Sequence, residues 1–476
     1  MDTNITPKQA TGKKAAQRVE VPERSQIAKE DQWDPSVVFP SLKAWEKERD
    51  ALKKELISTP KSKGLRQYEG SLRLGVQKVK TLLDKIAALR LRLEKLHYYA
   101  ARLAHIDMRQ SGPKGMEENA KKLFSDFEEV TSWVEPEFLA LGVVRLRGYQ
   151  RAKTLSVYSR YFSQLIRMKK HVLSKDEERI LSLAGVMGYS SYDIYSTFSN
   201  SDMEFPEFTD KAGTKVQLST PVYVKYRASM ERDDRLKVFQ TFWGTYKKYR
   251  NTFAQTLSGQ IKYYTYVAKA RKYPDALTAA LYPKNIPVKY YRNLITSIND
   301  NLDAFHDYLT LRKGILGIKD TQGYHDIYPP LVSVKPKEYS IDEAKKVVKE
   351  ALKPLGPEYA KLLDEAFKRG SGWIDVYPNK GKRSGAYMSG LYGVHPFVLL
   401  NFNKSFDSVS TLAHEIGHAM HSVLSDKTQP YAKSDYVIFN AEVASIVNET
   451  LLIEYLLKKE TDPQKRQFLL SHYLDS

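Results

Sequence analysis

Apolar residues recur every three to four positions over residues 42–56, 75–104, 116–127, 174–184, 224–268, 288–311 and 341–367. That period stacks them on one face of a helix. A mostly α, multi-helical protein follows, with a small β region expected where the helical period lapses, around residues 198–218 and 388–402. Residues 1–30, rich in Lys, Gln, Thr and Ala, read as a disordered tail. A chain of 476 residues is long for one core. Its expected division is the tail, a helical N-terminal domain over 31–210 and a second domain over 211–476. No repeat of fixed period is visible, and no stretch approaches the ~18 apolar residues of a membrane span.

Composition narrows the chemistry. The chain has no cysteine, which removes a thiolate metal site, a cysteine nucleophile and disulfide stapling together and fits a cytoplasmic protein. The N-terminus lacks the apolar segment of a signal peptide; Lys13, Lys14 and Arg18 faintly suggest a transit peptide, against which Asp2, Glu20 and Glu23 count. A net charge of +19 admits a nucleic-acid or anionic-surface binder without catalysis as the alternative class. The basic residues, however, are spread along amphipathic helices and mixed with acids, as in 78–92 and 345–353, so solvated helix faces explain them and no nucleic-acid partner is expected. The thirty-two tyrosines read as packing and cleft lining in preference to base-stacking platforms.

Three of the ten histidines fall within the run His414-Glu415-Ile416-Gly417-His418-Ala419-Met420-His421. On a helix, i and i+4 share a face, so His414 and His418 can close on one ion while Glu415 reaches the water beside it. Ser410 and Thr411 offer a helix cap, and Ile416, Ala419, Met420, Val423 and Leu424 keep one side of the helix apolar. A catalytic zinc needs a third protein ligand and an open position. A metzincin would place glycine where His421 stands and histidine where Leu424 stands, which excludes that class.

The third ligand must therefore come from downstream: Asp426, Asp435, Glu442, Glu449 or Glu454. Asp426 lies too near the end of the histidine helix to fold back. Glu442 is the choice, on a second helical stretch entered after Pro430 and flanked by small residues that would let two helices approach closely. Glu449, seven positions on, returns to the same face, where it either holds a ligand imidazole or makes a surface salt bridge. Residues 391–402 read as a strand, and Pro396 within it implies a sheet edge able to hold an extended peptide. His395 and Tyr392 are candidate substrate contacts there; for His395 a structural role at a strand end is the alternative. His421 is expected to pack or to support the site from outside the ligand set.

Several segments now carry a resemblance. Residues 382–387 (KRSGAY), 392–402 (YGVHPFVLLNF) and 411–421 (TLAHEIGHAMH), with 133–137 (WVEPE), 171–178 (HVLSKDEE), 251–254 (NTFA) and 373–376 (WIDV) upstream, are similar in content and order to oligoendopeptidase F, a branch of the thimet oligopeptidase family. The resemblance spans roughly residues 30–476. It implies a gluzincin-type fold with its β region at the active-site cleft, one zinc ion on His414, His418 and Glu442, and Glu415 as general base. It also implies internal cleavage of short, unstructured peptides in a deep channel, and makes 211–476 the zinc peptidase domain.

One departure bears on activity. Members of that family continue past the point matching Ser476 with a helical segment that supplies a cleft wall and the His and Tyr donors to the oxyanion. Here the chain stops in an amphipathic helix begun by Asp462-Pro463, around Phe468, Leu469 and Tyr473, whose apolar face is expected to lack its partner. The expectation is thus a fold with its C-terminal part missing, of reduced activity, and a separately encoded C-terminal segment as a possible partner.

Overall fold

A computed structural model of the chain describes residues 22–57, 64–332 and 337–475. Helices dominate it. α1 (Leu42–Ile57), α2 (Val76–Ile106) and α3 (Ser111–Thr131) pack together because α2 presents a buried stripe at Val79, Leu82, Leu89, Leu93 and Leu96. Trp45 and Leu52 of α1 and Leu123 and Phe127 of α3 close on that stripe. The Trp45 indole N–H keeps a partner inside the core by donating to the Leu96 carbonyl at 2.9 Å.

Three of the long apolar runs are broken, 288–311 among them at Asp300-Asn301, between Val288–Asn299 and Leu302–Ile315. Residues 224–268 fall into Thr220–Arg227, α4 (Arg232–Lys248) and α5 (Arg250–Ala270). Residues 341–367 become α6 (Ile341–Ala351) and α7 (Pro357–Phe367), since Gly356 adopts φ 93° and Pro357 starts the second helix, where its missing N–H is not needed. The β region expected at 198–218 shrinks to a hairpin of β1 (Glu207–Thr209) and β2 (Lys215–Gln217); residues 198–202 stay helical. Residue 210, the expected domain boundary, lies in the turn of that hairpin, where Asp210 N–H donates to Thr214 O at 3.0 Å.

The sheet beside the site has the order β3-β5-β4: β3 (Ile374–Asp375) runs parallel to β5 (Val394–Leu399), which pairs antiparallel with β4 (Tyr387–Leu391). Pro396 therefore sits in the central strand, not at the edge inferred from the sequence. It is tolerated because the register with β4 breaks between Ser389 and Leu391, while β3 pairs only with Val398 and Leu399, so no ladder bond is asked of the proline. The edge strands are β3 and β4, and β4 is the one beside Glu415. Along β5, Val398 enters the core shared with the helices that follow, and Phe397 and Leu399 face Trp33 and Tyr98.

α8 (Phe406–Thr428), α9 (Ile438–Lys459) and α10 (Pro463–Asp475) complete the second core with α6 and α7. α10 is covered over part of the face expected to lack a partner: Leu469 is buried, and Phe468 and His472 pack on Phe406 with ring centroids 5.8 and 4.8 Å apart, whereas Tyr473, with Leu470 and Leu474, faces outward.

Residues 1–21 of the expected tail lie outside the described residues, but residues 22–34 are a fixed strap. Lys380 N–H donates to Pro22 O, Val376 N–H to Asp31 O and Asp34 N–H to Gly372 O, at 2.8 to 2.9 Å. The reason is electrostatic. Asp375 is wholly buried, and Lys382 at 2.7 Å together with Arg24 from the strap balances it. No described helix is long and apolar enough to cross a membrane.

Candidate active site

α8 starts a turn earlier than its sequence suggests. Ser405 is the cap, accepting from Ser408 N–H at 3.2 Å, and Ser410 lies inside the helix, where its hydroxyl donates to Glu449 Oε2 at 3.2 Å. Burial of Val409, Leu412, Ala413, Ile416, Ala419 and Met420 fixes the helix's rotation. His414 and His418 are thereby turned toward α9, and Glu415 toward β4.

The two imidazoles meet edge to face. His418 Nε2 lies 3.2 Å from His414 Nε2, and Glu442 Oε2 lies 3.3 Å from each. His414 Nδ1–H donates to Glu449 Oε1, which leaves Nε2 as a bare lone pair, and the main chain at Ala441 takes a hydrogen bond from His418. Two ring nitrogens and a carboxylate oxygen thus converge within 3.2–3.3 Å of one another. A tetrahedral zinc with bonds of about 2.0–2.1 Å sets its donor atoms about 3.3–3.4 Å apart, so the triangle fits such an ion. Among the described residues it is the one group of His, Asp and Glu able to share a metal.

The supporting residues follow from how closely the helices approach. A Cβ at Gly417 would lie 2.6 Å from Ser445 Cα and 2.8 Å from Ala444 O, main-chain atoms of α9, so the glycine on α8 is required. Ser445 Oγ donates to Glu442 Oε2 at 2.9 Å. Glu449 accepts from His414 and Ser410 with its two oxygens, which is the imidazole-holding option of the two left open by the sequence. Its hydrogen bond raises the His414 pKa, while burial lowers that of His418. Glu415 is buried against β4. Burial pushes its carboxyl up to about 7, against the opposing pull of the His414 charge and of a hydrogen bond with the Met388 main chain.

The other candidates separate. Tyr392, at the end of β4, donates its hydroxyl to Gln429 O at 3.1 Å and lines a cleft of about 810 Å³ bounded by α2, β4 and the C-terminal half of α8. His395 does not line it: its ring stacks on Trp373 at 5.1 Å and meets Phe397 at 4.9 Å. His421 lies outside the His–His–Glu triangle, stacked on Tyr436 at 3.9 Å, and the Tyr436 hydroxyl bonds Ser422 Oγ at 3.0 Å. No local pattern marks Tyr98, whose hydroxyl reaches from α2 to the Ser389 carbonyl of β4. Asn448 was equally hidden; its amide crosses from α9 to the Ala413 carbonyl of α8 at 3.0 Å.

Comparison with known proteins identifies the family. Residues 225–476 match peptidase family M3, and residues 137–205 match oligopeptidase F. The chain is 37% identical to oligopeptidase PepF of Bacillus subtilis (strain 168) over 470 residues, covering 98% of this chain and 68% of that protein. It is 34% identical to an oligoendopeptidase F homolog of Lactococcus lactis subsp. lactis over 454 residues, covering 95% and 74%. The crystal structure of oligoendopeptidase-F from Enterococcus faecium superposes with a TM-score of 0.67 at 29% identity, covering 91% of this chain and 71% of that one. The chain belongs to peptidase family M3, on its oligopeptidase F branch, and is a metalloendopeptidase.

Proposed function

We propose that the protein hydrolyses internal bonds of short peptides, with one zinc ion on His414, His418 and Glu442 and with Glu415 as general base. The observation that carries the reading is the triangle of donor atoms 3.2–3.3 Å on a side beside a buried carboxyl. Zinc in such a site acidifies a water molecule and polarises a peptide carbonyl. The rest falls to the chain. Glu449 fixes the His414 tautomer so that Nε2 stays free of a proton. Glu415 takes the proton of the attacking water on its carboxylate and returns it to the leaving amine, and apolar packing on α8 keeps that carboxylate out of bulk solvent. β4, the edge strand next to Glu415, would offer main-chain groups to an extended peptide, which supplies affinity without strong sequence demands. The neighbouring cleft, walled by α2 and β4, suits a short flexible chain and not a folded domain.

Metal analysis and peptide cleavage test this together. Glu415→Gln should keep stoichiometric zinc and lose about 10²–10⁴-fold in turnover. The His414→Ala, His418→Ala double variant should lose the metal. Zinc retained by the double variant, or unchanged turnover in Glu415→Gln, would overturn the assignment.

A further inference from the structure

Glu442 is the loosest of the three donors. Its side chain is 56% exposed and rests on Ser445 Oγ, a neighbour on the same helix, so its distance from the two imidazoles is set by where α9 lies along α8. The Gly417 contact limits how near the helices come but, being steric, says little about their register. Glu449 touches His414 through a flexible side chain. Register needs a directional contact between the helix bodies.

Asn448 makes that contact. It is 1% exposed and both ends of its amide are used: Nδ2 donates to the Ala413 carbonyl at 3.0 Å, and Oδ1 accepts from the Tyr359 hydroxyl of α7 at 3.0 Å. The Ala413 carbonyl, an acceptor only, requires the Nδ2 end of the amide to face α8, and the Tyr359 bond is consistent with that orientation. Ala413 and Gly417 directly precede the two histidines, and the Ala413 carbonyl closes the helical turn to Gly417 N–H, so the amide is keyed to the turn that spaces His414 from His418. A slip of α9 by one residue moves it about 1.5 Å, enough to break the amide bond and take Glu442 out of the triangle.

We infer that Asn448 is a positioning residue for metal binding, holding α9 in register so that Glu442 completes the His–His–Glu triangle through its bond to the Ala413 carbonyl. This rests on the metal reading above. The separate bond from Tyr359 adds stability and is not itself the register contact.

The test measures zinc affinity of the full chain by chelator competition, thermal unfolding of the metal-free protein, and the visible spectrum of the cobalt(II) form. Asn448→Leu should fold, bind zinc at least about 10-fold more weakly and change the cobalt spectrum. Asn448→Asp keeps the acceptor for Tyr359 and loses the donor to Ala413, and should weaken zinc similarly; it serves as the second variant should the leucine form fail to fold. Tyr359→Phe should lower thermal stability yet keep zinc affinity within about 3-fold and leave the cobalt spectrum unchanged, because the Ala413 bond survives. Wild-type zinc affinity in the Asn448 variants, or an equal loss in Tyr359→Phe, overturns the inference. His418→Ala is the control: zinc retained there refutes the metal reading itself.

Discussion

Adding one methyl group at Gly417 should damage metal binding more than it damages the fold. Its backbone is helical, so alanine there is favoured intrinsically by about 1 kcal/mol. The contact opposes this. The new Cβ would lie 2.6 Å from Ser445 Cα, whereas ordinary contact begins at 3.4 Å, so α8 and α9 must part by about 0.8 Å. All three of the nearest atoms are main chain, on Ala444 and Ser445, and no rotamer change relieves them. Overpacking of this kind costs about 1–3 kcal/mol, which offsets the propensity gain and leaves a modest net loss of stability. The metal site has less slack. Glu442 is tied to Ser445, which moves with α9, so its 3.3 Å distances to the two Nε2 atoms stretch toward about 4 Å, beyond the edge of a zinc tetrahedron. Zinc affinity of Gly417→Ala, measured by chelator competition, should fall at least about 10-fold, with the metal-free protein melting only slightly lower. A variant that melts higher and binds zinc as the parent does would show that Gly417 does not set the helix separation.

Acid should weaken the protein through Asp326. Burial raises its pKa, but hydrogen bonds from Arg232, Arg235 and Gly323 outweigh that and bring it to about 2. Because the folded value lies below the unfolded value of about 3.9, protons favour the unfolded chain, so this contribution is complete above about pH 4 and fades toward pH 2. The gap in melting temperature between the parent and Asp326→Asn should close over that window, and a constant gap would refute it. Asp375→Ala strands the buried Lys382 ammonium and should cost about 3–5 kcal/mol in denaturant unfolding, of which Lys382→Met in the same chain recovers part; a double variant no better than the single would remove the charge argument. Tyr98→Phe deletes the hydroxyl bond to the Ser389 carbonyl, worth about 0.5–1.5 kcal/mol, and on the proposal that the peptide binds along β4 should raise KM about 2- to 12-fold with kcat little changed; an unchanged KM would count against that strand.

What was legible in the sequence divides by range. His414, Glu415 and His418 are neighbours on one helix, and helix geometry alone places them. Glu442 was reachable because α9 follows α8 after the short helix Tyr431–Ser434, which leaves few acids to choose from. Ser410 was misread as a cap because a serine before an apolar run has the same local signature whether it opens a helix or bonds across to another. Its true partner, Glu449, lies thirty-nine residues on. Tyr98 is one tyrosine among thirty-two, and its target lies 291 residues away, so nothing nearby distinguishes it.

Pro396 is the instructive error. Proline lacks a ladder donor, and the rule that confines it to edges assumes that an interior strand is paired along its whole length. β5 is paired on one side only from Val398 onward and on the other through a shifted register, so it contains a position with no bond to lose. The physical premise held; the inference to the edge did not. Its correction makes β4 the edge on this side, the strand that bonds Glu415 through Met388 and is held by Tyr98 at the Ser389 carbonyl. An edge occupied by β5 would have set the peptide one strand away from the base. With β4 outermost, the main-chain groups available to a peptide and the carboxyl that would receive the proton belong to adjoining surfaces, which is what hydrolysis at this site requires.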